Sequence, residues 1–177
     1  MKYCSNCGAR VTSRIPPRDD RLRFVCDACQ TIHYENPKIV VGSIPELGDR
    51  ILLCRRAIKP RLGLWTLPAG YLENGETLVE GAKRETYEEA RARLTELTPY
   101  ALLNLTFANQ VYVIFRGRMV DHHYGPGSES SEVRLLAGDE IPWDHLAFSS
   151  ICETLKRYFM DCRKGTFPLH MADIELG

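Results

Sequence analysis

Arg84, Glu85, Glu88 and Glu89 stand at a spacing that can do chemistry. On a helix, residues three and four apart share a face, so Glu85, Glu88 and Glu89 project three carboxylates from one side. Like charges so placed repel by roughly a few tenths of a kcal/mol per pair on an isolated helix, and cations relieve the repulsion. Hard divalent ions that prefer oxygen ligands fit best, Mg²⁺ or Mn²⁺. Arg84 adjoins Glu85 and lies four residues before Glu88, where a guanidinium can grip a carboxylate and orient it. Gly70 and the preceding Leu67-Pro68-Ala69 bring backbone towards this face, so the carbonyl of Ala69 or Gly70 is a further candidate metal oxygen. Glu76 falls just before the helix, where a carboxylate suits the N-terminal dipole. Read in isolation, Glu-x-x-Glu-Glu is as consistent with a solvated acidic face.

Cysteines form the second constellation. Cys4 and Cys7 make one C-x2-C pair and Cys26 and Cys29 another, with eighteen residues between the pairs. Two such knuckles can bring four thiolates onto one tetrahedral Zn²⁺ at about 2.3 Å, a closed and therefore structural site. A pair of disulfides or a redox C-x-x-C is the competing reading, and the doubled spacing favours zinc. Gly8 follows the first knuckle at a sharp turn; Gln30 holds the same position after the second. Cys54, Cys152 and Cys162 lie in or beside apolar segments and read as small buried hydrophobes.

The elements that must position these groups follow from pattern. Residues 1–35 are short, polar and cysteine-punctuated, an appendage with a turn near Pro16-Pro17. Ile39–Ile44 and Ile51–Cys54 are β-branched runs separated by Gly48-Asp49 and predict two paired strands. Leu62–Leu67 is a short apolar stretch, and Asn74-Gly75 is a turn. Thr77 with Glu80 three residues on is a capping box that opens a helix to about Arg91. Tyr100–Thr106 and Val111–Arg118 predict strands, followed by a Gly/Ser-rich loop at Tyr124–Ser131 and a strand at Val133–Ala137. A second helix begins near Ser149 or Ser150, with Ser150 and Glu153 as another capping box. Its core face is Ile151, Leu155, Tyr158, Phe159 and Cys162, and Gly165 terminates it. The organisation expected is 1–35, 36–165 and a C-terminal tail 166–177.

With 177 residues and 44% hydrophobic composition, the chain can bury a core. Lysine plus arginine equals aspartate plus glutamate at 23 each, so no whole-chain field advertises nucleic acid or an anionic membrane. Arg10, Arg14, Arg18, Arg21 and Arg23 could still give the appendage a basic face, with few aromatics among them. No apolar leader or membrane-spanning run is evident, and the expectation is a cytoplasmic protein.

The long-range spacing decides how the acidic segment is read. Gly70, five residues, Glu76, seven residues, Arg84-Glu85, Thr86, one residue, Glu88-Glu89 resembles the Nudix box, G-x5-E-x7-R-E-U-x-E-E-x-G-U, at every charged position. Arg91 and Ala92 depart from its final glycine and aliphatic. Neither position is a metal ligand in the family, and the expected consequence is a helix that continues through Ala92 and Arg93.

With the cysteines, nearly the whole chain resembles the zinc-ribbon Nudix branch that contains NADH pyrophosphatases and plant-type FAD and ADP-ribose pyrophosphatases. It looks closest to FAD diphosphatases over His33–Lys38, Gly63–Tyr71, Gln110–Phe115, Glu140–Trp143 and Leu146–Ser150. Asn104–Gln110 departs from the Ser-Gln-Pro-Trp-Pro-Phe-Pro block of NADH-class members.

The resemblance implies an α+β Nudix fold, a mixed β-sheet sandwiched between helices, with a small N-terminal zinc ribbon. It also implies attack of a metal-activated water on a pyrophosphate phosphorus. Glu85, Glu88 and Glu89 would bind the ions, Glu129 before Glu132 would add a loop carboxylate, and Glu89 or Glu129 would be the base. Trp65, Tyr71, Phe107 and Tyr112 are candidates to stack on a base, and Arg55 or Arg56 to meet phosphate. The five histidines, His122-His123 included, show no ligand spacing and are expected in polar turns.

The substrate implied is FAD, split to AMP and FMN. NADH, ADP-ribose and NAD-capped RNA are alternatives, as is a non-catalytic nucleotide sensor, and a homodimer is expected.

Overall fold

Residues 1–175 are described by a computed structural model, in which two units separate after Pro37. In the first, β1 (Val11–Arg14), β2 (Arg23–Cys26) and β3 (Ile32–His33) form an antiparallel sheet. Each cysteine knuckle closes on a left-handed residue, Gly8 at φ 75° and Gln30 at φ 59°. Their N–H groups donate to the carbonyls of Cys4 and Cys26 at 2.9 Å. A left-handed backbone is free for Gly8 and costs Gln30 about 1–2 kcal/mol.

The second unit is built on β4 (Lys38–Leu47), β5 (Arg50–Arg56), β6 (Trp65–Thr66), β7 (Ala69–Tyr71), β8 (Leu94–Leu105), β9 (Gln110–Met119), β10 (Ser130–Leu136) and β11 (His170–Asp173). Its two helices are α1 (Leu78–Ala90) and α2 (Ser149–Lys164). The sheet runs β10-β5-β4-β9-β8-β11, with β4 parallel to β9 and β11 parallel to β8. Period-two alternation serves both faces: Ile51 and Leu53 join the core with Ile151 and Leu155 of α2, whereas Leu52 and Cys54 join the one with Ala90 of α1. This is the expected mixed sheet between helices. Among the described residues, no helix is long and apolar enough to cross a membrane.

The strands β4 and β5 pair only beside their turn, at Glu46↔Ile51 and Leu47↔Arg50, and then diverge. The fork is closed by β6 on β5 and β7 on β4. The apolar stretch Leu62–Leu67 thus contributes a two-residue strand, and the backbone of Ala69 and Gly70 is delivered to the helix side. Helix α1 follows with its Thr77–Glu80 capping box formed. It buries Gly81, Ala82, Glu85, Thr86, Glu89 and Ala90, so its packing stripe is made of small residues and two carboxylates. Thr86 donates to the Ala82 carbonyl at 2.7 Å and meets Ser43 at 2.6 Å.

Several expectations are corrected. Helix α1 does not run on through Ala92 and Arg93: Arg91 takes the left-handed conformation at φ 55° and caps it. The carbonyls of Glu89 and Ala90 leave the helix to accept from Gly127 and Gly125, and that exchange favours termination. Ser150 and Glu153 form no capping box, because Phe148 is the N-cap and Glu153 pairs with Arg157. The segment read as a tail from 166 carries β11, whose alternation is too short to recognise; of that tail, residues 176 and 177 lie outside the described residues. Cys162 is exposed and Cys152 half-buried, leaving only Cys54 of the three in the core. Asp161 takes the buried position next to Cys162, accepting from Tyr100 at 2.8 Å and lying 2.6 Å from His170 Nε2.

Burial alone would raise the Asp161 carboxyl, but the His170 and Tyr100 hydrogen bonds outweigh it and hold the group below the ordinary aspartate value. A depressed carboxylate stabilises the fold above its ordinary value and loses that contribution as pH falls through the folded one. Urea unfolding from neutral pH to about pH 3 should therefore show the advantage of wild type over Asp161→Asn shrinking below about pH 4. A pH-independent gap would contradict this account.

Candidate active site

Arg84 organises the acidic face. Its Nε and Nη2 grip the two oxygens of Glu76 at 3.0 and 2.7 Å, and Nη2 also reaches the Tyr71 carbonyl at 3.0 Å. Its Nη1 donates to Glu85 at 2.7 Å and Glu88 at 3.1 Å. Glu76, expected to act on the helix dipole, is thus the anchor for Arg84. The guanidinium holds the Glu76 carboxyl down to about 2. Gly70 lies so close that a Cβ there would overlap the Glu85 carboxylate. Only glycine lets β7 pack on this helix face.

Burial pushes Glu85 upward against the pull of Arg84. It pushes Glu89 further, to about 8, with the Glu85 and Glu129 charges adding and Arg56 and the Ala69 N–H opposing. Two carboxylates in one low-dielectric wall cannot both ionise cheaply, and a site with this deficit is suited to cations. Among the described residues, only the four N-terminal cysteines bring three or more possible ligand atoms within 4.8 Å of one another. Of the glutamates, Glu85 and Glu88 are bridged by Arg84 Nη1.

Glu129 reaches the site through the end of α1. Gly127 and Gly125 donate to Glu89 and Ala90 at 3.0 and 2.8 Å, and a Cβ on Gly127 would collide with the Glu88 carbonyl. The Glu129 carbonyl accepts from Ala57 at 2.8 Å, tying the loop to the end of β5. A cleft of about 610 Å³ is lined by Arg56, Ala69, Gly70, Arg84, Glu85, Glu88, Glu89 and Glu129, among others. Glu132 lies outside that lining, paired with Arg55 and Arg134.

A second cavity, of about 560 Å³, shares Arg56, Ala69, Gly70 and Tyr71 with the cleft. Tyr71, Phe107 and Tyr112 line it, as do Phe148 and the start of α2. Trp65 does not; it is buried in the core with Arg134 over its ring. Of the two arginines after the strand, Arg56 borders both cavities, whereas Arg55 turns to Gly63 and Glu132. Phe148, Ser149, Ser150 and Arg61 also line the second cavity and were not singled out as candidates, although Phe148–Ser150 lie in one of the segments that carry the resemblance.

In the N-terminal unit, Sγ atoms of Cys4 and Cys29 lie 3.6 Å apart and those of Cys7 and Cys26 3.5 Å apart, and all are free thiols. A tetrahedron with Zn–S bonds of about 2.3 Å has edges near this length, so the donor set fits zinc. The Thr31 hydroxyl and amide bring the Cys29 thiol down to about 5, towards the thiolate that a metal needs. His33 was not singled out, yet its Nε2 is 3.3 Å from Cys4 Sγ, a supporting contact to the cluster. Arg14 and Arg23 are paired with Asp27 and Asp19, which reduces the basic face considered for this unit.

The NUDIX domain family matches residues 37–151, and the family described as Nudix N-terminal, a zinc ribbon, matches residues 2–35. The "NAD-capped RNA hydrolase NudC" of Vibrio vulnificus is 28% identical over 148 residues, covering 80% of this chain and 53% of that protein. The chain thus spans about half the length of the curated relatives it matches. The crystal structure of a NUDIX hydrolase from Nitrosomonas europaea superposes with TM-score 0.95 at 50% identity, over 98% of this chain and 99% of that one. An ADP-ribose pyrophosphatase from Streptococcus suis shares the fold at TM-score 0.62 and 20% identity, over 77% of this chain and 99% of that one.

Two outcomes are expected. Because the folded Glu89 carboxyl titrates near 8 and an ordinary one near 4.5, the folded state holds the extra proton between those values and loses stability as pH rises. Scanning calorimetry in EDTA should show Glu89→Gln melting above wild type at about pH 8.5, with the curves converging towards pH 5, and Mn²⁺ titration should show weakened binding. Elemental analysis should find about one zinc ion per chain. Cys4→Ser or Cys29→Ser should lose the zinc and protease resistance of residues 1–35 while the melting of the second unit persists.

Proposed function

The chain belongs to the Nudix family, and from that premise we propose that it hydrolyses the pyrophosphate bond of a dinucleotide, with FAD, cleaved to AMP and FMN, as first substrate. The observation that carries this reading is the wall shared by the two cavities. A diphosphate at the carboxylates places its attached nucleoside against Tyr71, Phe107 and Tyr112. A substrate without an aromatic group would leave that cavity unused.

Bound Mg²⁺ or Mn²⁺ would supply charge neutralisation at the phosphates and a water acidic enough to attack. Glu85, Glu88, Glu89 and Glu129, with the carbonyl of Ala69 or Gly70, are the proposed ligands. Arg84 is a positioning residue: gripped by Glu76, it keeps Glu85 and Glu88 from collapsing onto other partners. Arg56 is the proposed phosphate contact, since it borders both cavities. Glu89 is the first choice of base and Glu129 the second.

The relatives' names support a second group of substrates, NAD-capped RNA and ADP-ribose, to which the sequence resemblance adds NADH. The intact glutamate set argues for turnover over mere nucleotide sensing. Purified protein with Mg²⁺ or Mn²⁺ should release AMP from FAD faster than AMP from NADH, NAD⁺ or ADP-ribose and faster than adenosine 3′,5′-bisphosphate from CoA, as read by chromatography. Glu89→Gln should lower kcat by at least about a hundredfold with little change in KM. Failure on every dinucleotide, with cleavage of NAD-capped RNA retained, would transfer the assignment to the capped RNA.

A further inference from the structure

Tyr71 is held from two sides. The register of β4 and β9 sets Lys38 opposite Gln110 and Val40 opposite Tyr112, and β7 sets Tyr71 opposite Val40. Side chains two residues apart on a strand share a face, so all five belong to one surface of the sheet. Gln110 Nε2 donates to the Tyr71 hydroxyl at 2.9 Å, and Lys38 Nζ lies 4.9 Å from the centroid of the Tyr71 ring. The backbone beneath is tied as well: the Lys38 N–H donates to the Asn109 carbonyl at 2.9 Å and the Leu72 N–H to the Ile39 carbonyl at 3.0 Å.

A tyrosine that is 47% exposed would ordinarily exchange among rotamers, and ordering it would reduce the affinity of any ring stacked on it. Here the hydroxyl is tethered and one face carries an ammonium, which fixes the ring before a ligand arrives. Tyr71 and Gln110 line the aromatic cavity, whereas Lys38 lines neither that cavity nor the carboxylate cleft. The cation therefore covers the side of the ring turned away from a ligand, and the opposite face is open to one.

We propose that Lys38 and Gln110 are positioning residues that hold Tyr71 as a preorganised, cation-backed platform for the adenine ring of the substrate, a role that rests on the reading that the aromatic cavity takes the base. An ammonium behind the ring draws π density away from the open face, so a neutral, electron-rich ring stacks there more favourably than a cationic one. Adenine is such a ring. Oxidised nicotinamide carries a full positive charge and is repelled through the platform, and the electron-poor isoalloxazine of FAD is directed to the far side of the diphosphate.

Mononucleotides have no pyrophosphate to cleave, so calorimetry with Mg²⁺, using AMP and nicotinamide mononucleotide as probes, reads binding apart from turnover. Tyr71→Leu should weaken AMP about tenfold. Lys38→Met and Gln110→Leu should each weaken it about threefold, and Lys38→Arg should restore wild-type affinity. Gln110→Leu combined with Tyr71→Phe should cost no more than either alone, because both remove the same tether. Lys38→Met should meanwhile leave nicotinamide mononucleotide bound as tightly as in wild type or more so, an effect of charge that a purely structural lysine would not produce. Equal weakening of both mononucleotides, unchanged AMP affinity in Lys38→Met or in Gln110→Leu, or no binding of AMP to wild type would each overturn the proposal. Absence of turnover on every dinucleotide, with these binding results intact, would instead reject the proposed reaction.

Discussion

Two carboxylates sit on the face that α1 turns towards the sheet, where a helix of this size would ordinarily bury aliphatic side chains. Glu85 and Glu89 take that place, with Gly81, Ala82, Thr86 and Ala90 as the only packing residues around them. Charge so placed is tolerable because Arg84, itself seated on Glu76, lends a cation to Glu85, and because Gly70 admits backbone where a side chain would collide. The surrounding structure serves this arrangement. Glu89 receives no such partner and its carboxyl rises to about 8, so the site keeps a deficit of positive charge for a bound ion to fill.

The fork between β4 and β5 converts that helix face into a cleft. Strands that stayed paired would have sealed the sheet beneath α1; by diverging after Glu46 and Leu47 they admit β6 and β7, and with them Ala69 and Gly70. The same two residues back the aromatic cavity on the other side. The carboxylate cleft and the aromatic cavity are thereby separated by one short strand.

At the other end of α1, termination does the positioning. Arg91 adopts a left-handed conformation that costs about 1–2 kcal/mol for a non-glycine residue. In return the carbonyls of Glu89 and Ala90 are freed for the amides of Gly127 and Gly125, so the loop bearing Glu129 is bonded to the same turn that carries Glu89. A glycine at that position is therefore unnecessary as long as the loop supplies the partners.

Much of this was legible in order along the chain. The spacing of Glu85, Glu88 and Glu89, the capping box at Thr77, the doubled C-x2-C and the β-branched strands all depend on periodicity or local backbone chemistry, which one sequence carries in full. The path of the chain beyond α1, the strand His170–Asp173, the Asp161 cluster with Tyr100 and His170, and the choice of Arg56 over Arg55 were not legible. Each depends on which distant segment lies opposite, and no local pattern encodes that. The sequence by itself determined a helix with an acidic face and a four-cysteine cluster, because both are written as short-range spacing. Only the tertiary structure decided that Glu129 joins that helix while Glu132 does not, and that Ser150 lines an aromatic cavity, because these follow from the long-range closure of the sheet.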